Sequence, residues 1–225
     1  MTENPFEQKR KQLVELLRGE TFPHSILDAF SRVKRECFIP EKYGEYAYAN
    51  DAIPIGFNQT ISQPSTIAQM LQLLELHPEQ KILEVGSGSG YVLALLSEIT
   101  GKKGSVFGIE FEKELWEQSK KSLECNATKK TKTKCADGSD GWAECAPFDR
   151  ILISAAAPLV PKPLFGQLAE NGIIVAPLGD PGFQTLTILK KIRGKPLKKE
   201  FTETFFTFVP LRGKYIQKIR EKIEA

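Results

Sequence analysis

The chain has 225 residues, 41% of them hydrophobic and 26% charged, which is enough for one α/β domain with a buried core. Its 31 basic and 28 acidic residues give a formal net charge of +3, too balanced to indicate a nucleic-acid partner. The four cysteines form no C-x-x-C pair and only two histidines occur, which argues against a metal site.

The N-terminal region and the cysteines suggest where the protein works. Residues 1–18 are charged throughout and no apolar run approaches membrane-span length, so we expect a cytoplasmic monomer with no membrane partner. Cys37 and Cys135 lie in apolar or strand-like contexts. We therefore expect both to be free, buried thiols in a reducing compartment.

The first third of the chain predicts a helical extension. Helical spacing predicts helices over residues 6–17 and 24–33, followed by an irregular bridge over 53–57 and 59–64. Ser65 or Thr66 is then expected to cap a third helix. The apolar stripe of that helix contains Ile67, Met70, Leu71 and Leu74.

From residue 81 onward, strands and helices alternate regularly. The predicted strands cover residues 81–85, 106–110, 131–135, 150–154 and 172–177. The predicted helices cover 91–99, 113–124, a short piece near Trp142, and 163–168. Such alternation is typical of a parallel sheet that is covered on both faces.

The end of the chain changes character. Residues 185–192 and 201–209, joined at 193–195, predict a closing pair of strands that is at least partly antiparallel, before a helix over 216–223. We therefore predict an α/β fold with a doubly wound, mostly parallel, seven-stranded Rossmann-like sheet, an N-terminal helical extension and an antiparallel C-terminal strand. It forms one domain over 1–225, with a cap and substrate loop at 1–78, a core at 79–213 and a C-terminal helix at 214–225.

A glycine-rich turn follows the first predicted core strand. It reads Leu83-Glu84-Val85-Gly86-Ser87-Gly88-Ser89-Gly90-Tyr91. The third glycine comes one residue earlier than in a dinucleotide-binding fingerprint, and Tyr91 fills the dinucleotide position. The spacing E-x-G-x-G-x-G resembles the first motif of methyltransferases that use S-adenosylmethionine (AdoMet). The alternative is a tight turn without a ligand, because such turns recur in α/β folds.

Two later strands end in acidic residues, where open parallel sheets bind ligands. Glu110 lies twenty residues after Gly90 and can accept both hydroxyls of a ribose, although a helix cap or a surface acid would also fit. Asp137, before Gly138, can accept a hydrogen bond from an adenine amino group. An ordinary Asp-Gly turn explains that pair equally well.

Two further segments carry no decisive chemistry on their own. The strand ending at Ser154 is followed by three alanines and Pro158, a smooth wall without a base, and the chain has no Asn-Pro-Pro-Tyr-like motif. The hydroxyls of Thr60 and Ser62 lie in a polar loop, where such groups usually bond local backbone.

Taken in order, these segments resemble the protein-L-isoaspartate O-methyltransferase family over residues 13–213. The resemblance rests on the loop 59–64, the glycine motif, Asp137-Gly138, the alanine segment and residues 208–213. One departure is visible: relatives often carry an aromatic residue or histidine where this chain has Ser65.

The resemblance implies a role for each matched residue. Ser62 is the expected catalytic residue, placed near the substrate carboxylate, and the other expected substrate contacts are Thr60, Ile61, Ala156, Ala157 and Pro158. The expected AdoMet contacts are Glu84, Gly86, Ser87, Gly88 and Gly90 at the methionine end, Glu110 at the ribose, and Asp137 and Gly138 at the adenine.

The implied reaction is methyl transfer from AdoMet to the free α-carboxylate of L-isoaspartyl residues in age-damaged proteins and peptides, which leaves S-adenosyl-L-homocysteine. Because a carboxylate is ionised at neutral pH, the reaction needs no base, which suits the alanine wall. The methyl ester then collapses to a succinimide that begins repair. The alternatives are another acceptor, such as RNA or a small carboxylic acid, or a non-catalytic AdoMet-binding protein; a nicotinamide dehydrogenase fits the motif less well.

Overall fold

The secondary structure alternates strands and helices from residue 81 onward. In the computed structural model, the described residues are 4–126, 128 and 131–224, with side chains at 200–204, 220 and 224 left out. The strands are β1 (Ile53–Gly56), β2 (Gln59–Ile61), β3 (Lys81–Val85), β4 (Ser105–Glu110), β5 (Thr131–Cys135), β6 (Phe148–Ile153), β7 (Leu168–Asp180), β8 (Phe183–Ile192) and β9 (Lys195–Phe206). The helices are α1 (Pro5–Gly19), α2 (His24–Arg32), α3 (Pro64–Leu73), α4 (Tyr91–Thr100), α5 (Lys113–Cys125), α6 (Lys162–Gly166) and α7 (Lys214–Glu224).

Seven strands form the central sheet in the order β5-β4-β3-β6-β7-β8-β9. The first five pair in parallel, whereas β7 with β8 and β8 with β9 pair antiparallel. This confirms the predicted mostly parallel, seven-stranded sheet. The chain runs outward from β3 to β5 and returns to β6 on the other side of β3. The carboxyl ends of β3 and β6 therefore flank a topological switch point, where open α/β sheets bind ligands.

Strand β3 lies at the centre of the sheet and is buried on both faces. Ile82 belongs to a core cluster with the helices of the N-terminal region, whereas Leu83 and Val85 belong to a second cluster with Phe107 and Ile153. Successive side chains of a strand point to opposite faces, so the two clusters cover the two faces of the sheet. This is why the apolar residues of β3 lie on both of its faces.

The N-terminal helices pack against the sheet at the start of α4. Helices α1 and α2 agree with their predicted spans to within two residues. The rings of Phe30 and Phe38 meet the ring of Tyr91 edge to face, with centroids 6.1 Å and 5.4 Å away. The extension thus covers the helix that follows the glycine turn. None of the described helices combines the length and apolarity needed to cross a membrane.

The predicted irregular bridge is wrong, because residues 53–61 form an antiparallel hairpin. Ile53 pairs with Ile61 and Pro54 with Thr60. Phe57 and Asn58 have φ angles of 53° and 55°, the left-handed conformation that both central residues of a tight hairpin turn require. Phenylalanine is an unusual residue there, so the turn could not be predicted from the residue types at these two positions.

The predicted cap of the third helix is also wrong. Gln63 occupies the N-cap position of α3 and makes no side-chain capping bond, and Pro64 is the first helical residue. Proline is favoured there because its missing N–H would have no partner in any case. The N–H of Ser65 donates instead to Asn50 Oδ1 at 2.9 Å. The predicted apolar stripe is confirmed, since all four of its residues are buried.

The cysteine prediction is wrong for Cys37, and for Cys135 it is right about the free thiol but wrong about its burial. Cys37 forms a disulfide with Cys125, which joins the N-terminal extension to the end of α5, and Cys135 is free but exposed. The two partners lie 88 residues apart in the chain, so local sequence patterns could not reveal their pairing.

Differences elsewhere concern element ends. Strand β9 begins six residues earlier than predicted, because Arg193 and Gly194, with φ of 50° and 72°, make a two-residue turn directly after β8. Strand β7 extends beyond both predicted ends, and the short piece near Trp142 consists of two 3₁₀ helices, Gly138–Asp140 and Ala143–Cys145. The expected side-chain pattern of 201–204 falls outside the described side chains.

Contact between β4 and α4 leaves no room for a side chain at Gly108. A Cβ there would lie 2.5 Å from Leu93 Cδ1 and 3.0 Å from Cδ2. Gly108→Ala should therefore lower the free energy of unfolding by about 1–3 kcal/mol, measured by chemical denaturation. Gly166→Ala is the control, because a Cβ at Gly166 meets nothing within 4 Å. Equal stability of the two variants would contradict this packing.

Candidate active site

The glycine turn after β3 lies at the switch point. Gly86, Gly88 and Gly90 have φ angles of 79°, 53° and 88°, a backbone conformation that residues other than glycine rarely adopt. The N–H groups of Gly86 and Ser87 donate to the carbonyl of Ile109 at 2.9 Å and 3.1 Å. The turn therefore folds back onto the end of β4 and leaves its other face open to a ligand.

Glu110, the last residue of β4, is tied to this turn. The residue is only 5% exposed. One oxygen, Oε2, accepts the N–H of Gly88 at 2.8 Å, and Oε1 accepts the N–H of Glu112 at 2.9 Å. A carboxylate has about four acceptor positions, so these two bonds fix its orientation and leave it able to accept from a ligand.

Glu84 is the second acid, buried inside the motif itself and 1% exposed. Ser154 Oγ donates to its Oε1 at 2.7 Å, whereas Oε2 has no hydrogen-bond partner among the described residues. The pKa of Glu84 is raised to about 8, mainly because the carboxyl is buried; the hydrogen bond from Ser154 lowers it and the nearby charge of Glu110 raises it. The unpaired oxygen is a built acceptor for a cationic or donor group.

Two adjoining cavities surround these acids. The lining of the first cavity includes Glu84, Ser62 and Tyr91, and that of the second includes Glu110, Phe111 and Gly138. The residues common to both cavities are Ile55, Thr60, Gly86, Gly88 and Ser154. The two therefore form one elongated site along the glycine turn, with one acid in each half.

Ser62 and Thr60 also face a third cavity on the other side of the hairpin. This third cavity is further lined by Gln63, Thr66 and residues 205–209 near the end of the chain. Strand β2 ends at Ile61, so Ser62 follows the hairpin directly and lies half-buried between the first and third cavities. The structure thus brings the predicted serine loop and the predicted glycine motif together.

Asp137 is held differently from its expected role. Its Oδ1 accepts from the N–H and Oγ of Ser139 at 2.9 Å and 2.6 Å, and its Oδ2 accepts the N–H of Lys214 at 2.8 Å. The carboxylate therefore anchors the start of α7. It lines a separate cavity with Phe111 and Arg212, whereas Gly138 lines the second cavity.

The alanine segment is not brought together with Ser62. Ala156 pairs with the C-terminal segment, donating to the carbonyl of Val209 at 2.8 Å and accepting from the N–H of Leu211 at 2.7 Å. Ala156, Ala157 and Pro158 line a fourth groove, which lies against Phe208 and does not include Ser62.

Sequence reasoning missed several wall residues. Ser154 lines the second cavity beside Ala155, the first alanine of the predicted wall, and Ile55 enters from the unpredicted hairpin. Phe111 follows the predicted acid directly and lies under the guanidinium of Arg212, whose Cζ is 4.6 Å from the ring centroid. Phe111 could have been found from its position next to Glu110, which was predicted to bind the ribose. Its contact with Arg212 could not, because the two residues are about a hundred positions apart in the chain.

Comparisons with known proteins identify relatives that match almost the whole chain. A family model for Protein-L-isoaspartate(D-aspartate) O-methyltransferase (PCMT) matches residues 8–215. The chain is 40% identical over 211 residues to protein-L-isoaspartate O-methyltransferase of Dictyoglomus turgidum, covering 93% of this chain and 94% of that protein. It is 43% identical over 206 residues to the protein of the same name from Cytophaga hutchinsonii, covering 91% of each.

Solved structures show the same likeness. A protein-L-isoaspartate O-methyltransferase superposes with a TM-score of 0.85 at 25% identity, covering 96% of this chain and 69% of that one. A Plasmodium falciparum structure assigned to the same activity, in complex with S-adenosyl-L-homocysteine, superposes with a TM-score of 0.80 at 25% identity, covering 93% and 99%.

The proton on Glu84 makes stability depend on pH. The folded protein holds it up to a pKa of about 8, whereas the unfolded chain releases it near 4.5, so ionisation opposes folding as pH rises between those values. Glu84→Gln removes this dependence. The free energy of unfolding of the variant relative to wild type should rise by up to about 4 kcal/mol from pH 4.5 to 8, measured by urea titration. Parallel curves for the two proteins would contradict the buried, protonated carboxyl.

Proposed function

The chain belongs to the protein-L-isoaspartate(D-aspartate) O-methyltransferase family, and we propose that the cavities around Glu84, Glu110 and Ser62 are its active site. The activity is methyl transfer from AdoMet to L-isoaspartyl residues. The observation that carries the proposed site is the position of Thr60 and Ser62. Both line the first cavity, which contains Glu84, and the third cavity, toward the C-terminal segment. One loop can therefore face both the methyl donor and the methyl acceptor.

The residues present fit AdoMet. The unpaired Oε2 of Glu84 suits the α-ammonium of a methionine moiety, because a cationic donor at that oxygen would stabilise the ionised form of this buried acid. Glu110 suits the hydroxyls of the ribose, and the backbone at Gly86 and Gly88 lets the ligand lie close. Gly138 would border the adenine. AdoMet, when bound, supplies a methyl group on a positively charged sulfur.

Ser62 orients the acceptor carboxylate. Its hydroxyl makes no hydrogen bond within the described part of the chain and lies where the first and third cavities meet. It can therefore donate to one carboxylate oxygen while the other points toward the methyl carbon. Positioning of this kind, beside the apolar side chains of Ile55 and Ile61, supplies much of the acceleration in a transfer between two bound reactants.

No proton needs to be removed from a carboxylate acceptor, and the site is consistent with that chemistry. Besides their bonds to Ser154 and to backbone N–H groups, the two acids of the site are assigned to the cofactor, Glu84 to its ammonium and Glu110 to its ribose. Residues 155–158 contribute no titratable group at the end of β6. An amine acceptor, which must lose a proton, would lack a base here. This favours the free α-carboxylate of the isoaspartyl residue as the acceptor.

The remaining assignments extend this proposal along the acceptor chain. We propose that damaged proteins enter beside Phe208, with Ala156, Ala157 and Pro158 bordering the groove beyond it. The resulting ester would close to a succinimide and start repair. Because one chain supplies every residue of the site, we propose that the protein acts as a monomer, in the cytoplasm. Residues 1–78 would serve as cap and substrate loop, 79–213 as core and 214–225 as a closing helix.

The acceptor is tested with two peptides that differ only in an isoaspartyl or a normal aspartyl linkage. Incubation with methyl-labelled AdoMet should give base-labile label on the isoaspartyl peptide alone, because only that linkage presents a free α-carboxylate at the right distance. The measurement is label released as methanol on mild alkaline treatment. Label on neither peptide, or on both equally, would contradict the proposed activity.

The two halves of the site should respond differently to substitution. Glu110→Ala should weaken AdoMet binding by roughly 10–100-fold, since the substitution removes the carboxylate that bonds to the ligand and to the N–H of Gly88. Ser62→Ala should lower kcat by about 10–100-fold with little change in AdoMet affinity. Calorimetry and steady-state kinetics on both variants decide this. Loss of AdoMet binding in Ser62→Ala would show that the roles are misassigned.

A further inference from the structure

Arg35 is a completely buried cation in the N-terminal extension. It begins a short 3₁₀ helix, Arg35–Phe38, and its side chain has no solvent exposure. It forms no ion pair with the described residues, and its Nε and Nη1 have no hydrogen-bond partner among them. An unpaired buried charge is costly, because water that solvated it is not replaced by an opposite charge.

Two contacts connect this cation to the active site. Arg35 Nη2 donates to the backbone carbonyl of Ser62 at 3.0 Å. Its Cζ lies 4.8 Å from the ring centroid of Tyr91, a cation–π contact with the residue that follows the glycine turn and lines the first cavity. Arg35 itself lines none of the cavities of the site. It can therefore influence the chemistry only through Ser62 and Tyr91.

A purely structural role does not account for the charge. An apolar side chain of similar length would fill the same space against the Tyr91 ring without burying unpaired donors. What an apolar side chain could not do is hold the carbonyl of Ser62. That bond links the serine loop to a ring fixed beside the glycine turn.

We propose that Arg35 is a positioning residue that fixes the backbone of Ser62 against Tyr91, and so sets the direction of the Ser62 hydroxyl relative to the AdoMet cavity. The role rests on the proposed function of Ser62. It gives the helical extension a part in the reaction, because the extension supplies the group that holds the loop.

The test is a double-mutant cycle of Arg35→Met and Ser62→Ala. Methionine keeps much of the side-chain volume but removes the charge and donors. If Arg35 acts through Ser62, Arg35→Met should lower kcat about tenfold alone and less than about twofold in the Ser62→Ala background. AdoMet affinity and the thermal midpoint should stay close to wild type. Arg35→Lys, which keeps a charge and a donor, should restore part of kcat.

Arg150→Met is the matched control. Arg150 is also a buried arginine that donates to backbone carbonyls, those of Leu74 and Glu75, but it lines none of the cavities of the site. Its loss should lower the thermal midpoint and leave kcat near wild type. This pattern is the reverse of the one expected for Arg35→Met.

Hydrogen exchange of the loop gives a readout that does not depend on activity. Arg35→Met should speed exchange in peptides covering residues 59–64, whereas Arg150→Met should not. Any of three results would overturn the proposal. These are unchanged exchange in residues 59–64, an equal loss of kcat in both Ser62 backgrounds, and failure of Arg35→Met to fold. Inactivity of the wild type on the isoaspartyl peptide would instead overturn the proposed function. The exchange measurement would still test whether Arg35 holds the loop, because it does not depend on activity.

Discussion

The bond from the N–H of Gly88 to Glu110 Oε2, 2.8 Å long, joins the two halves of the site. It can form only if the backbone turns sharply after β3, with Gly86, Gly88 and Gly90 in the left-handed region. It also requires β4 to lie directly beside β3, which the sheet order provides. The position of every other site residue depends on this turn, because both cavities share its wall.

Charge is distributed across the site in a way that suits its two reactants. The cofactor side holds the buried acids Glu84 and Glu110, which favour a ligand that carries an ammonium and a sulfonium. The acceptor side holds neutral hydroxyls at Thr60 and Ser62, with the buried cation Arg35 behind them. A carboxylate acceptor therefore meets hydrogen-bond donors rather than acids. Methyl transfer then removes two opposite charges, the negative charge of the carboxylate and the positive charge of the sulfonium, which are costly to keep separate in a low-dielectric site.

Local signals predicted the core of the fold. Apolar runs such as β3 and the alternation of strands and helices follow from burial on both sheet faces, so the sheet and the glycine turn could be read directly from the sequence. Contacts between distant segments could not. The hairpin with Phe57 and Asn58 in its turn, the Cys37–Cys125 pairing and the bonds that hold Asp137 depend on tertiary neighbours rather than on local pattern. The serine loop was found only through resemblance, since hydroxyls in a loop carry little information of their own.

The central claim is that Ser62 holds the acceptor carboxylate at the junction of the first and third cavities. A crystal structure with S-adenosyl-L-homocysteine and an isoaspartyl peptide tests it most directly, through the distance between Ser62 Oγ and the α-carboxylate. We expect one carboxylate oxygen within hydrogen-bond distance of Ser62 Oγ, about 2.5–3.0 Å, and the other facing the cofactor sulfur. A carboxylate bound instead in the groove beside Ala157 and Pro158, away from Ser62, would contradict the account.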